Sequence, residues 1–390
     1  MKKNYTLLLL LGLLLIQAPI FSQWTQLGID LDGEALGDGS GRSVSLSSDG
    51  SRVAIGAIRN GTSAGHVRIY EWDGSSWMQL GIDIDGEASG DQSGISVSLS
   101  SDGSRVAIGA NTNAGNGSAA GHVRIYEWDG SSWVQIGMDI DGEAAFDNSG
   151  NSVSLSSDGS RVAIGAYGND GYSFIAGHVR IYEWDGSSWV QLGLDIDGEA
   201  AFDNSGISVS LSSDGSRVAI GARENAGNGS FAGHVRIYEW SGSSWVQLGL
   251  DIDGEAPGDQ SGNSVSLSSD GSRVAIGAFF NADNGSNSGH VRIYEWDGSS
   301  WVQLGLDIDG EALGDVSGNS VSLSSDGSRV AIGAPGNDGN GRNAGHVRIY
   351  EGFVPVSVVA EELPVMPFGR LVLLGLLVLV VGTLTYKKIG

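Results

Sequence analysis

Six histidines recur at intervals of 56 residues, each inside the segment Gly-His-Val-Arg-Ile-Tyr-Glu; they are His66, His122, His178, His234, His290 and His346. A second segment, Ser-Val-Ser-Leu-Ser-Ser-Asp-Gly-Ser-Arg-Val-Ala-Ile-Gly-Ala, also occurs six times, first at Ser43 and last at Ser320. Self-similarity at a fixed period is typical of repeat architectures. The chain therefore contains six copies of one unit between residues 24 and 351, with no other domain between them.

Each copy contains four short β segments, A to D, separated by turns. In the second copy they are residues 95–100, 105–110, 122–128 and 133–136. Asp102-Gly103 joins A to B, and this dipeptide favours a two-residue type I′ hairpin. That turn places Leu99 opposite Val106, so that apolar side chains meet across the pair. Four strands in 56 residues predict the blade of a propeller.

The ends of the repeat region favour a closed ring over an open β-solenoid. Residues 24–27 have the sequence of a D strand with no copy before it, and the last copy stops after its C strand at Glu351. If the first segment pairs with the last copy, no sheet edge is left free. We therefore predict an all-β, six-bladed β-propeller of four-stranded blades, closed by the N-terminal strand.

The repeats resemble the FG-GAP propeller repeats of the integrin α type. The resemblance rests on Ser-Gly-x-Ser-Val in strand A, Arg-Val-Ala-Ile-Gly-Ala in strand B and Gly-His-Val-Arg-Ile-Tyr in strand C, and it covers residues 24–351. In that family, calcium loops lie between strands A and B. Here the A–B connection is only Ser-Ser-Asp-Gly-Ser, which is too short to enclose an ion, so those sites are not transferred to this chain.

Both ends of the chain have the sequence of export and membrane signals. Residues 1–22 combine two lysines, an apolar run and Ser22 at a cleavage position, which is typical of a signal peptide. Residues 352–367 form a linker, and 368–390 hold an apolar helix with a basic tail, which predicts a membrane anchor. Leu363-Pro-Val-Met-Pro367 followed by that helix resembles the sorting signals of bacterial surface proteins of the exosortase or sortase kind. We expect an exported protein, anchored in the membrane or located at the cell surface.

Charge and composition exclude several classes of function. The chain has 46 acidic and 21 basic residues and a formal net charge of −25, and it contains no cysteine. Such a field repels nucleic-acid backbones and attracts cations. A disulfide-stapled scaffold and a nucleic-acid-binding protein are both excluded.

The hairpin register places each histidine opposite an aspartate of strand D, for example His122 opposite Asp139, and His346 opposite Asp30 across the predicted closure. A His–carboxylate dyad is one interpretation of these pairs. Because six identical copies without a nucleophile do not form an active site, a structural pair that braces each blade is the alternative.

The D–A loops carry the repeated motif Asp-x-Asp-Gly-Glu-Ala-x-x-Asp. Closely spaced carboxylates interrupted by glycine are what Ca²⁺ requires, and a solvated acidic turn is the alternative. The candidate calcium ligands are Asp32, Glu34, Asp38, Asp85, Glu87, Asp91, Asp141, Glu143, Asp147, Asp197, Glu199, Asp203, Asp253, Glu255, Asp259, Asp309, Glu311 and Asp315.

The B–C loops are the segments in which the copies differ most, and they carry aromatic residues. Since B–C and D–A loops emerge on the same face of a propeller, this variable rim should lie beside the acidic loops. The candidate ligand-binding residues are Tyr167, Tyr172, Phe174, Phe231, Phe279 and Phe280. Exposed aromatic side chains indicate a contact surface, and relaxed constraint on loop sequence is the alternative.

Taken together, these patterns predict a monomeric, non-enzymatic surface propeller that binds an extracellular protein or glycan through its top-face loops, with calcium as a stabilising ion. Two alternatives remain at this stage. One is an enzyme with its active site in the propeller channel, and the other is a purely structural envelope protein.

Overall fold

The computed structural model describes residues 26–352. They form an all-β, six-bladed propeller with one short helical turn, α1 (Asn60–Ser63). The strands are β1 (Ser40–Leu46), β2 (Arg52–Ala57), β3 (His66–Trp72), β4 (Trp77–Gln79), β5 (Ile84–Asp85), β6 (Ser96–Leu99), β7 (Arg105–Ala110), β8 (His122–Trp128), β9 (Trp133–Gln135), β10 (Ile140–Asp141), β11 (Ser152–Leu155), β12 (Arg161–Ala166), β13 (His178–Trp184), β14 (Trp189–Gln191), β15 (Ile196–Asp197), β16 (Ser208–Leu211), β17 (Arg217–Ala222), β18 (His234–Trp240), β19 (Trp245–Gln247), β20 (Ile252–Asp253), β21 (Ser261–Leu267), β22 (Arg273–Ala278), β23 (His290–Trp296), β24 (Trp301–Gln303), β25 (Ile308–Asp309), β26 (Ser320–Leu323), β27 (Arg329–Ala334) and β28 (His346–Glu351).

Each of the first five blades is an antiparallel sheet in the order A, B, C, D, and the sixth has strands A, B and C among the described residues. In the second blade β6 pairs with β7, and Leu99 lies opposite Val106 in the predicted register. The predicted type I′ turn is wrong, because Gly103 has a positive φ and Asp102 does not; the N–H of Gly103 donates to the carbonyl of Ser100 at 2.9 Å. Strand A is innermost, because the six A strands together line the pocket on the propeller axis. The histidines of strand C therefore lie away from the axis.

Strand D is interrupted in blades one to five, and this corrects the predicted register of the histidines. In blade two, Tyr126 pairs with Gln135, but further along Val123 pairs with Ile140. Between these two pairs, two residues of strand C thus oppose four of the D segment, so two extra residues bulge out. As a result His122 pairs with Asp141 along the backbone, whereas the uninterrupted hairpin predicted Asp139. A bulge of this kind leaves its extra residues outside the ladder.

The hydrophobic core lies between blades. One cluster joins Val179 and Ile181 of the third blade to Val218 and Ile220 of the fourth, and the same arrangement recurs at the other interfaces from blade one to blade six. Trp133 packs against the cluster between blades one and two, and its Nε1 donates to the carbonyl of Leu80 at 2.8 Å. Its ring centroid lies 5.5 Å from that of Trp128. The tryptophan pairs thus serve packing between blades.

The N-terminal segment reproduces the contacts of a D strand with the following blade. Trp77 Nε1 donates to the carbonyl of Leu27 at 2.9 Å, and Gln26 Nε2 donates to Asp30 at 2.8 Å, as Gln79 does to Asp83. Among the described residues the sixth blade has three strands, and β28 pairs only with β27. Residues 24 and 25, which would supply half of the predicted closing strand, lie outside the described part of the chain.

The two faces that closure would bring together are exposed. Val44 and Leu46 on the first blade and Val347 and Ile349 on the sixth are 61–66% exposed, whereas their equivalents at the other interfaces are largely buried. His346 and Asp30 are not brought together. Closure by the N-terminal strand stays a prediction, and these apolar faces are what it would bury.

The predicted signal peptide, sorting motif and C-terminal membrane helix lie within residues 1–25 and 353–390, outside the described part of the chain. Among the described residues, the structure has no helix of the length and hydropathy needed to cross a bilayer.

Candidate functional site

The B–C and D–A loops meet on one face of the ring, which we call the top face. The backbone N–H of Phe146, in the D–A loop after blade two, donates to the carbonyl of Ser118 in the B–C loop of that blade at 2.8 Å. The same contact joins Phe202 to Phe174 at 2.9 Å after blade three. The predicted neighbourhood of variable loops and acidic loops is therefore correct.

The three acidic positions of a D–A loop point in different directions. Asp91 is buried, and its Oδ2 accepts from the backbone N–H of Ala88 at 2.8 Å and from Asn113 Nδ2 at 3.0 Å. Glu87 turns towards the next blade, where it approaches His122 and Arg124. The carboxylate of Asp85 is exposed, and the carbonyl of that residue accepts from Arg124 at 2.6 Å.

The other loops repeat this pattern. The last aspartate caps its own loop in each copy, through Asp38, Asp147, Asp203, Asp259 and Asp315. The middle glutamate faces a histidine in each copy, through Glu34, Glu143, Glu199, Glu255 and Glu311. The geometry thus assigns most of these carboxylates to separate local contacts. Calcium binding by the loop motif stays a prediction.

The repeated histidines are buried beside two carboxylates. His178 is 1% exposed, and its Nδ1 lies 3.8 Å from Asp195 Oδ2 and 3.9 Å from Glu143 Oε2. Both distances are too long for a hydrogen bond. Burial, with the adjacent Arg180 as the second cause, lowers the pKa of His178 to about 4, so the imidazole is neutral at pH 7. Asp195, which lies in the bulge of strand D, therefore approaches His178 through its side chain. Along the backbone, His178 pairs with Asp197.

We expect metal-free protein to lose stability as the pH falls from about 6.5 to about 4. Burial lowers the pKa of both His178 and His234 to about 4, from 6.5 in the unfolded chain. Between these values the unfolded state binds protons that the folded state does not, so the free energy of unfolding falls by a few kcal/mol. Burial raises the pKa of Glu143, which acts in the opposite direction, but that side chain is half exposed and its contribution is smaller.

Urea denaturation at several pH values in the presence of EDTA measures this effect. His178→Asn should make the pH dependence shallower than in the parent protein. A stability that is the same at pH 6.5 and pH 4 would contradict the account of the buried histidines.

The predicted aromatic residues divide into two groups. Tyr172, Phe174 and Phe231 are exposed, whereas Tyr167, Phe279 and Phe280 are half-buried. Phe279 and Phe280 stack on each other with ring centroids 4.0 Å apart. The exposed group, on the B–C loops of blades three and four, is the part of the prediction that remains accessible to a partner.

Two further aromatic residues join the exposed group and were missed by the sequence analysis. Phe146 and Phe202 lie in D–A loops, and Phe202 meets Phe174 edge-on at 5.2 Å. The sequence does distinguish these two positions, because four of the six D–A loops have glycine there and only these two have phenylalanine. We call Phe146, Tyr172, Phe174, Phe202 and Phe231 the aromatic patch; its side chains are 48–65% exposed.

The pocket on the propeller axis has a different chemistry. It is lined by one leucine and one serine from each strand A and the turn that follows it, for example Leu155 and Ser157 in blade three. Successive serines are linked around the axis, since the N–H of Ser101 donates to the carbonyl of Ser157 at 2.8 Å. These lining side chains do not titrate near neutral pH.

Comparison with known proteins supports the repeat class. The family model described as FG-GAP repeat matches residues 251–294, which run from the end of one copy into strand C of the next. Together with the six-bladed ring, this match supports an FG-GAP-like propeller. Comparison with curated proteins gives no match.

Several solved structures share the fold. A putative 6-phosphogluconolactonase from Bacteroides uniformis is similar with a TM-score of 0.55 and 11% identity, over 80% of each chain. The periplasmic gluconolactonase PpgL of Pseudomonas aeruginosa gives 0.54 and 14%, over 79% of this chain and 80% of that one. Hydrazine synthase of Kuenenia stuttgartiensis gives 0.51 and 15%, over 79% and 82%. At such low identity the likeness shows the propeller fold alone.

Proposed function

We propose that this chain is a non-enzymatic recognition propeller, exported and held at the cell surface, that binds an extracellular protein or glycan through the aromatic patch on its top face. The proposal includes an anchored monomer. It rests on the contrast between a nearly identical set of blades and the few loop residues that differ among them.

The observation that carries the proposal is the backbone conformation of the patch. Phe146 and Phe202 have φ of 70° and 68°, which is the left-handed region. The positions equivalent to Phe146 in other loops are glycines, such as Gly90 with φ of 91°. A bulky residue in this region costs about 1–2 kcal/mol relative to glycine. Strain of this kind, combined with exposed aromatic surface, is typical of binding sites.

The surroundings of the patch suggest the chemistry of the ligand. Aromatic faces provide stacking and apolar contact, while the neighbouring half-exposed glutamates, such as Glu143 and Glu199, add hydrogen-bond acceptors and negative charge. Sugar rings present apolar C–H faces and hydroxyl donors, and basic protein surfaces complement the charge. Either class of ligand fits this face.

The alternatives receive less support. An enzyme in the channel needs a general acid, base or metal ligand there, and the axial pocket is lined by leucine and serine in the described residues. A purely structural envelope protein gives no reason to keep strained, exposed phenylalanines in two loops where glycine serves elsewhere. The gluconolactonase neighbours contribute only the fold.

The experiment is a glycan and protein array probed with purified protein and with a Phe146→Gly/Phe202→Gly double variant. We expect saturable binding by the parent protein and at least a tenfold loss in the double variant. The matched control is Leu313→Ser, which removes an exposed apolar side chain from the D–A loop between blades five and six. Equal binding by all three proteins would exclude the patch as the site.

The same substitutions separate binding from stability. Phe146→Gly should raise the free energy of unfolding by roughly 0.5–1 kcal/mol, because relief of left-handed strain exceeds the added flexibility of glycine in the unfolded chain. Phe202→Gly also loses the edge contact with Phe174, so its stability should stay close to that of the parent. Thermal or urea denaturation measures both values. A loss of more than about 1 kcal/mol in Phe146→Gly would show that the residue has a packing role instead.

A further inference from the structure

The repeated histidines and the carboxylates around them form the clearest set of converging ligand atoms in the described part of the chain. The candidate calcium motif of the D–A loops does not converge in this way. In five blades a histidine, a glutamate of the preceding D–A loop and the bulged aspartate of strand D bring their ligand atoms within 4.8 Å of one another. These triads are Glu34–His66–Asp83, Glu87–His122–Asp139, Glu143–His178–Asp195, Glu199–His234–Asp251 and Glu255–His290–Asp307, the last with Asp283 beside it.

The histidine nitrogens that face the carboxylates have no partner among the described residues. Nδ1 of His66, His178, His234 and His290 is buried without a hydrogen bond, in side chains that are 1% exposed. A buried polar atom without a partner is costly and requires an explanation. In each case the atom is directed at two carboxylate oxygens.

The spacing fits a bound ion better than a direct contact or a bridging water. Nδ1 lies 3.5–4.0 Å from the aspartate oxygen and 3.7–3.9 Å from the glutamate oxygen across the five triads. Hydrogen bonds between the groups would be shorter, and two hydrogen bonds to one water would hold them about 4.5 Å apart. Ligands about 2.0–2.2 Å from a tetrahedral ion lie roughly 3.3–3.6 Å apart.

In four of the five triads both carboxylates are held by one oxygen and offer the other; in the first, Glu34 Oε2, which faces His66, also accepts from Asn60 Nδ2 at 3.4 Å. Asp195 Oδ1 accepts from Gln191 Nε2 at 2.6 Å, which leaves Oδ2 towards His178. Glu143 Oε1 lies 3.6 Å from Arg180 Nη1, which leaves Oε2 towards the same histidine. The glutamine contact recurs in each of the five triads. Outer contacts that orient ligands in this way are characteristic of metal sites.

We infer that each complete triad binds one divalent transition-metal ion of the Zn²⁺ type, through histidine Nδ1 and one oxygen of each carboxylate. One nitrogen and two oxygen ligands suit Zn²⁺ better than Ca²⁺, which takes six to eight oxygens. The carboxylates are partly exposed on the top face, so the ion enters from solvent. In the sixth blade His346 faces Glu311 at 3.6 Å, and the aspartate that repeats this position, Asp30, lies elsewhere. The described structure therefore holds five complete sites.

The test uses the full chain, stripped with EDTA and dialysed, then titrated with ZnCl₂ by calorimetry with metal content measured by mass spectrometry. We expect five bound ions per chain, one for each complete triad. Asp195→Asn and Glu143→Gln, which keep shape and lie partly exposed, should each lose one ion. Glu224→Gln, which removes a top-face carboxylate outside the triads, should keep all five.

Two further readouts decide between ions. Co²⁺ in place of Zn²⁺ should give the visible absorption of a four-coordinate site, reduced by one fifth in Asp195→Asn. A hundredfold excess of Ca²⁺ should leave the Zn²⁺ bound. No Zn²⁺ binding, an unchanged stoichiometry in both triad variants, or displacement by equimolar Ca²⁺ would each overturn the inference; the second result would mean adventitious binding only.

Discussion

Replacing Gly165 by alanine should lower the free energy of unfolding by about 3 kcal/mol or more. Gly165 lies in strand B of blade three, and an added Cβ would fall closer than 3.0 Å to the carbonyl oxygen of Gly206, which belongs to the loop leading into blade four. Real Cβ atoms essentially never show such separations. The added Cβ would meet backbone rather than a flexible side chain. Blades three and four would therefore have to move apart, although the core between them is closely packed.

A urea titration followed by far-ultraviolet circular dichroism measures this loss. The matched control is Gly186→Ala in the C–D turn, where nothing lies within 4 Å and only the positive φ of 101° opposes a side chain. That control should cost about 1–2 kcal/mol. If Gly165→Ala cost no more than Gly186→Ala, the close approach of neighbouring blades would be wrong.

Replacing Arg180 by methionine should cost about 2–3 kcal/mol. The guanidinium is buried; Nη2 donates to the carbonyl of Asp141 in the preceding blade at 2.6 Å, and the group lies over the ring of Tyr182 at 5.6 Å. It also faces Glu143 at 3.6 Å. Methionine keeps the apolar part of the side chain. It leaves the carbonyl of Asp141 without its hydrogen-bond donor and Glu143 without its neighbouring cation.

The pH dependence of this loss identifies its electrostatic part. Burial already raises the pKa of Glu143, and Arg180 is the main group that lowers it. Without the arginine the pKa rises further, so the folded variant gains stability relative to the parent as the glutamate is protonated. The deficit should therefore be largest at pH 7 and smaller near pH 4.5. Arg342→Met, on an exposed loop, should stay within about 0.5 kcal/mol. A deficit that grows as the pH falls would contradict the role given to Arg180.

Much of the fold follows from local chemistry that the sequence displays. The alternation of Val97, Leu99, Val106 and Ile108 defines the register, so the pairing of the A–B hairpin was predicted correctly, although its type I′ turn was not. The bulge in strand D was not predicted. It depends on how Gly137 and its neighbours pack against the tryptophans of the next blade, which is a contact between copies rather than within one.

The candidate site, too, was predicted only in part from the sequence. The sequence indicated that B–C and D–A loops share a face, but not that Asp91 turns inward to meet Asn113 from a B–C loop. It also gave no means of seeing that Glu87 reaches the histidine of the following blade. The replacement of glycine by phenylalanine at 146 and 202 was visible, yet its meaning depended on the left-handed backbone that the fold imposes there.

The central claim is that recognition resides in the aromatic patch, the part of the ring that departs from its own repeat. Hydrogen–deuterium exchange of the protein with and without a ligand selected from the array tests this most directly. The account predicts slowed exchange in residues 144–148, 170–175, 200–204 and 229–233, and no comparable change in the equivalent loops of blades one and six. Protection spread evenly over all blades, or confined to the channel serines, would contradict it.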